Sequence, residues 1–179
     1  MKLYSVTRVL GVYNDFSGIN PDVLQAAATR GTKVHSVCAA YASGLWIPAL
    51  AVDIQEYFNS FKAWFDKYVS RVFFVEEEMT DPLLGYYGHP DLGVKLIDGR
   101  KVIPDLKTPI NESVTWKSQT AAYLNLAQKK YGENFFDGCM ALQLSPKGAM
   151  AKGIVYQYSD ADFAAFVSAL NSYRYFRKD

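Results

Sequence analysis

Apolar positions follow two rhythms along this chain. In residues 52–69, VDIQEYFNSFKAWFDKYV, Ile54, Tyr57, Phe58, Phe61, Phe65 and Tyr68 recur at three- and four-residue spacing, which predicts an amphipathic helix. The same rhythm returns over 115–130, where Trp116, Gln119, Ala122, Tyr123 and Leu126 share one side. It returns again over about 160–175, a helix that begins after Ser159 and buries Phe163, Phe166 and Leu170. Asn20-Pro21-Asp22 supplies an N-cap, a first-turn proline and an early acid, so a helix is expected from there to about Thr29. Arg30-Gly31-Thr32 reads as an interruption, with Thr32 capping a second helix through Tyr41 that stops at Ser43-Gly44. Residues 3–12 read as a short strand or an irregular lead-in.

The second rhythm is that of strands. RVFFVEEEM (71–79) is rich in β-branched and aromatic residues, and GYYGHPDLGVKLI and KVIPDLK flank Asp98-Gly99, a hairpin dipeptide. GCMALQLS and GIVYQYS flank Pro146-Lys147-Gly148 as a second hairpin. The order ααα-βββ-α-ββ-α describes one mixed α/β domain over 1–179 with no repeat or interdomain linker. Its helical part covers about 20–69, its sheet core about 71–157 and its last helix about 160–175.

The first hairpin carries the chemistry. A two-residue turn makes opposed residues sum to 197, sets Asp91 against Leu106 and sends Asp91 and Asp105 to opposite faces. A three-residue loop, Ile97 to Gly99, makes the sum 196, and Asp91 then opposes Asp105. Gly99 suits the left-handed position such a loop needs, and Pro104 removes a ladder donor beside Asp105. Lys107, two residues on, shares the face of Asp105. Like charges across a sheet destabilise it unless something neutralises them. A hard divalent cation would do so, with Lys107 steadying developing negative charge or handling a water. The plainer alternative is two solvated acids and a surface lysine.

Composition narrows the classes. Half of the 179 residues are apolar, with 13 Tyr and 11 Phe, as in a packed globular protein. A net charge of +1 excludes a polycation, so nucleic-acid binding must come from a local patch. Cys38 and Cys139 stand far apart, which suggests no zinc ribbon or iron–sulfur cluster, only buried small hydrophobes in a reducing cytoplasmic setting. The first residues lack a signal-peptide core, and no run of 18 apolar residues predicts a membrane span.

With these elements in view, the sequence resembles the PD-(D/E)XK nuclease superfamily, in its RecB-like, phage-type exonuclease branch. Pro90-Asp91 matches the first acidic element and Asp105-Leu106-Lys107 the (D/E)-x-K element. Gln119-Thr120-Ala121-Ala122-Tyr123 matches the Q-x-x-x-Y signature, and Arg30-Gly31 through His35 matches the RG-x-x-x-H element. The resemblance covers about residues 25–145. It implies a restriction-endonuclease-like core, α-βββ-α-β, with a mixed central sheet flanked by helices. It implies that Asp91, Asp105, His35 and the backbone carbonyl of Leu106 hold Mg²⁺ or Mn²⁺, and that Lys107 assists water attack. Gln119 and Tyr123 would then position the site or the DNA backbone. Relatives carry an additional upstream acid, and among Glu76, Glu77 and Glu78 the spacing to Asp91 favours Glu76. Strand alternation would put Glu76 and Glu78 on one face. His89 reads as a surface histidine or one supporting a ligand.

The implied activity is a metal-dependent DNA exonuclease in phage or recombination and repair processing, leaving 5′-phosphate ends. The implied setting is the cytoplasm of a bacterial or phage-infected cell. DNA is the expected partner, single- or double-stranded, with a recombination protein or an oligomer left open and no membrane. The competing readings are a structure-specific or restriction-type endonuclease and a catalytically silent nucleic-acid-binding module on the same fold.

Overall fold

The computed structural model describes residues 2–156 and 160–177. A two-residue strand β1 (Tyr4–Ser5) leads into a short helix α1 (Val6–Gly11), whose N-cap Ser5 Oγ accepts from the Arg8 amide. Helix α2 (Pro21–Ala42) starts as its sequence predicts, with Asn20 Oδ1 accepting from the Asp22 amide at 2.8 Å. It does not break at Arg30-Gly31-Thr32 but runs unbroken for 22 residues. The Thr32 hydroxyl bonds back to the Ala28 carbonyl instead of capping a new start, and Val34 and Cys38 are fully buried beyond it. Packing thus overrides the roughly 1 kcal/mol that a mid-helix glycine costs.

Helix α3 (Val52–Tyr68) follows, burying Ile54, Phe58, Phe61 and Trp64, each worth about 1.5–3 kcal/mol when fully enclosed. Strand β2 covers Val69–Val75, β3 Met79–Asp81, β4 Tyr86–Gly88, β5 Leu92–Leu96 and β6 Lys101–Lys107. The two long strands expected here, 71–79 and the one before Asp98, are therefore each broken in two. The first breaks at Glu76, which takes a left-handed φ of 48°, and the second at the His89-Pro90 segment. Helix α4 (Trp116–Tyr131), β7 (Gly138–Gln143), β8 (Lys152–Val155) and α5 (Asp160–Phe176) complete the chain. The expected start of α5 at Ser159 lies outside the described residues.

The main sheet has the order β2-β5-β6-β7-β8, with β6 and β7 parallel and the other neighbours antiparallel. A small sheet, β1-β4-β3, adjoins it. Alternation along the strands divides the core in two. Leu92, Val94, Val102, Leu106 and Leu142 face α2 and α3. Ile103 and Cys139 face the opposite core, built from α1, α4 and α5. The molecule is thus a mixed α/β protein whose mixed sheet is flanked by helices on both faces. No helix among the described residues is long and apolar enough to cross a membrane.

Candidate functional site

The register of the β5–β6 hairpin decides where the acids go. Val94 pairs with Val102 and Lys95 with Lys101, so opposed residues sum to 196. The connection is the three-residue loop Ile97 to Gly99, with Gly99 at φ 95° and its amide donating to the Leu96 carbonyl. Even-numbered strand residues fill the α2/α3 core, so odd-numbered Asp105 and Lys107 take the other face. Asp91 sits just before β5, where its carbonyl accepts from the Glu76 amide at 2.8 Å. Both carboxylates line one cleft of about 1070 Å³ together with His35, Lys107, Gln119 and Tyr123.

Two groups of contacts meet in that cleft. In the first, His35 Nδ1 lies 2.9 Å from Asp91 Oδ1, while Asp91 Oδ2 accepts from the Leu106 amide at 2.6 Å. His35, Asp91 and Glu76, the last an exposed residue outside the cleft lining, each bring a potential ligand atom within 4.8 Å of the others. In the second, Lys107 Nζ forms an ion pair with Asp105 Oδ2 at 2.6 Å and donates to Gln119 Oε1 at 2.8 Å. Gln119 Nε2 in turn donates to the Tyr123 hydroxyl at 3.3 Å. The four-residue spacing on α4 is what aligns Gln119 with Tyr123. Lys107 also lies 5.6 Å from the centre of the Trp116 ring. Tyr123 is fixed by close approach to Gly88, where an added Cβ would come within 2.6 Å of its ring.

The electrostatics follow from burial and crowding. Burial works against a charged His35, but the Asp91 charge and hydrogen bond prevail and raise it to about 9. Burial also acts to raise Asp91, yet the His35 cation, the His35 hydrogen bond and the Leu106 amide outweigh it and hold the carboxyl below its ordinary value. Asp105 goes the other way. Burial pushes it up to about 6, Lys107 opposes that rise and the neighbouring Asp91 adds to it. Desolvation and then the Asp91 charge raise Glu76 as well. Two acids in one enclosed cleft are thereby driven apart, as like charges require.

The three glutamates separate by backbone geometry, not by alternation. The left-handed turn at Glu76 ends the strand, so the expected shared face of Glu76 and Glu78 does not form. Glu76 joins His35 and Asp91, Glu77 bonds Lys130 and Tyr131, and Glu78 pairs with exposed His89 at 3.3 Å. Leu106 buries its side chain in the α2/α3 core and gives its amide to Asp91. Both cysteines are free and buried, as expected of small hydrophobes.

Sequence reasoning missed the walls of the cleft. Tyr13, Asn14, Phe16 and the segment 108–115 all line it, beside Arg30 and Trp116, which the sequence places only in a motif and on a helix face. The local signal for residues 13–19 is only that of a polar loop, and nothing in their spacing points across to 108–116. No protein-family model and no curated protein matches this chain.

Proposed function

We propose that this chain is a metal-dependent deoxyribonuclease of the PD-(D/E)XK type, in its RecB-like branch, acting as a DNA exonuclease in phage or recombination and repair processing. The reading rests on one observation: a carboxylate–imidazole group and a carboxylate–lysine–amide–tyrosine chain converge in a single cleft. The donors suit a hard divalent ion such as Mg²⁺ or Mn²⁺, being carboxylate oxygens and one imidazole. Asp105 Oδ2 meets the Lys107 ammonium at 2.6 Å but is buried without an aligned hydrogen bond.

His35, Asp91 and Glu76 would hold the ion, with Asp105 and the Leu106 carbonyl beside them. Bound there, it would supply Lewis-acid stabilisation of phosphoryl charge. Lys107, held by Asp105 and Gln119, has one N–H beyond those two contacts to orient a water, and its charge offsets negative charge as it develops on the phosphate. Tyr123 fixes Gln119, and Gln119 fixes Lys107. The expected product carries a 5′-phosphate.

The test is Mg²⁺-dependent release of nucleotides from linear DNA. The wild type should degrade it and Lys107→Ala should not. Equal rates would sink the role given to the lysine. Nicking of closed circular DNA would transfer the assignment to an endonuclease.

A further inference from the structure

The cleft is rimmed by side chains the fold does not use. Tyr13 is 50% exposed and Phe16 46%, Ile110 and Val114 are more open still, and all four line the cleft. They belong to two loops, 12–20 and 108–115, tied together at Asn14, whose Oδ1 accepts from Ser113 Oγ at 3.0 Å and Thr115 Oγ1 at 3.4 Å. The tie holds the apolar rim against the site although the rings themselves have little to pack on.

The charges of the cleft are unusual for a nucleic-acid groove. Asp15, Asp91, Asp105 and Glu112 line it, against Arg30 and Lys107. Lys107 is committed to Asp105, and His35 to Asp91. Arg30 differs. Its Nε is buried without a hydrogen-bond partner, and its guanidinium lies 5.7 Å from the centre of the Tyr57 ring. Among the described residues no carboxylate pairs with it. The guanidinium is thus available to an anion entering the cleft it lines.

A duplex presents one charge per about 1.7 Å and is gripped by many basic side chains. This cleft has one unpaired guanidinium among the described residues and several acids. A single strand can instead bind through its base faces, with few phosphate contacts. We propose that the cleft takes nucleic acid as a single strand, its bases against Tyr13 and Phe16 and one backbone phosphate on Arg30. The inference rests on the phosphodiester reading above and names the form of substrate that reading leaves open.

The experiment is fluorescence anisotropy of the full chain with a short labelled oligothymidylate and with a blunt duplex of equal length, in Ca²⁺ with Mg²⁺ withheld. The single strand should bind at least about tenfold more tightly than the duplex. Tyr13→Ala and Phe16→Ala should each weaken single-strand binding roughly tenfold, and Phe16→Tyr should retain it. Arg30→Gln should lower the salt dependence by about 0.7 in log–log slope, the loss of one phosphate contact, and Arg30→Lys should keep it. Both rings are half exposed, so these variants fold. Equal or tighter duplex binding, no binding to either, or rim variants that bind like wild type would overturn the inference. Tight, rim-dependent binding of the single strand without Mg²⁺-dependent cleavage upholds it and removes the hydrolase reading. Cleavage indifferent to the rim does the reverse.

Discussion

Two buried aspartates in this molecule each meet a lysine at 2.6 Å, and they behave as opposites. Asp81 pairs with Lys129 at the end of the small sheet, and Asp105 pairs with Lys107 in the cleft. Asp81 Oδ1 also accepts from the amides of Leu83 and Leu84, so the carboxylate closes its own turn. Asp105 receives no backbone donor among the described residues and sits in the field of a second acid, Asp91. Lys129 is 40% exposed, whereas the Lys107 side chain keeps 10% of its surface. The first carboxylate is anchored by its turn through Oδ1, although its Oδ2, like Asp105 Oδ2, is buried without an aligned hydrogen bond. Among the described residues the second has no such anchor on either oxygen, and it lines the cleft. A buried ion pair therefore says little about function. What matters is whether the surrounding backbone satisfies it.

The largest expected break between the two pairs is in activity. Lys107→Ala should lower the initial rate of Mg²⁺-dependent DNA degradation by about 10²–10⁴-fold, the usual loss when a positioned proton-handling group is removed. Lys129→Ala should leave that rate within about twofold. A Lys129 variant as inactive as the Lys107 variant would erase the contrast.

Stability should reverse the ranking. Asp81→Ala removes two turn hydrogen bonds and should cost about 1–3 kcal/mol in urea unfolding. Asp105→Asn removes a charge that burial disfavours and should cost less, or raise the unfolding midpoint of the metal-free protein. If Asp105→Asn proves the more damaging of the two, Asp105 is a structural residue like Asp81.

Gly88→Ala tests the support behind the Gln119–Tyr123 arm. Its Cβ would collide with the Tyr123 ring, and overpacking of this kind costs about 1–3 kcal/mol. The expected outcome is a lower melting temperature together with a lower kcat at unchanged KM. A fall in stability with full activity would show that Tyr123 does not position Lys107.

The smallest effect is one of pH. His35 is raised from 6.5 to about 9 in the fold. The folded state therefore holds its proton more tightly than the unfolded chain does. That stabilisation is fully present below pH 6.5 and is lost as pH rises through about 9. In EDTA the melting temperature should fall across this window, and His35→Gln should flatten the slope. Asp105 acts in an earlier window, since its raised value makes the penalty for ionising grow between its ordinary 3.8 and about 6. A wild-type melting temperature that is level from pH 6.5 to 9 would contradict the His35–Asp91 pairing.

The long helices were legible because their apolar spacing is strong. The 52–69, 115–130 and 160–175 segments appear as Val52–Tyr68, Trp116–Tyr131 and Asp160–Phe176. Hairpin parity was legible as a choice between two loop lengths, and Gly99 favours the one observed. Gly31 misled, because a local helix breaker carries no information about the packing of Val34 and Cys38 beyond it. The glutamate run misled in a different way. Spacing to Asp91 singled out Glu76, which does lie beside His35 and Asp91, but the face that alternation would have it share with Glu78 does not form, since the strand ends there in a left-handed residue. The cleft walls were illegible because residues 13–19 meet 108–116 only through tertiary structure.

The Ile97–Gly99 loop carries a consequence for how such a protein tolerates insertions and deletions. Its residues lie on the surface, with Ile97 67% exposed, where side-chain changes are normally cheap. Its length is another matter, because the face on which Asp91 emerges depends on whether that length is odd or even. Deleting Asp98 alone should abolish the convergence of Asp91 with Asp105 as thoroughly as removing a carboxylate. Deleting or inserting two residues should spare it. Comparing those loop variants for metal-induced thermal shift would show that an exposed turn, making no contact with the cleft, is counted by the site in units of two.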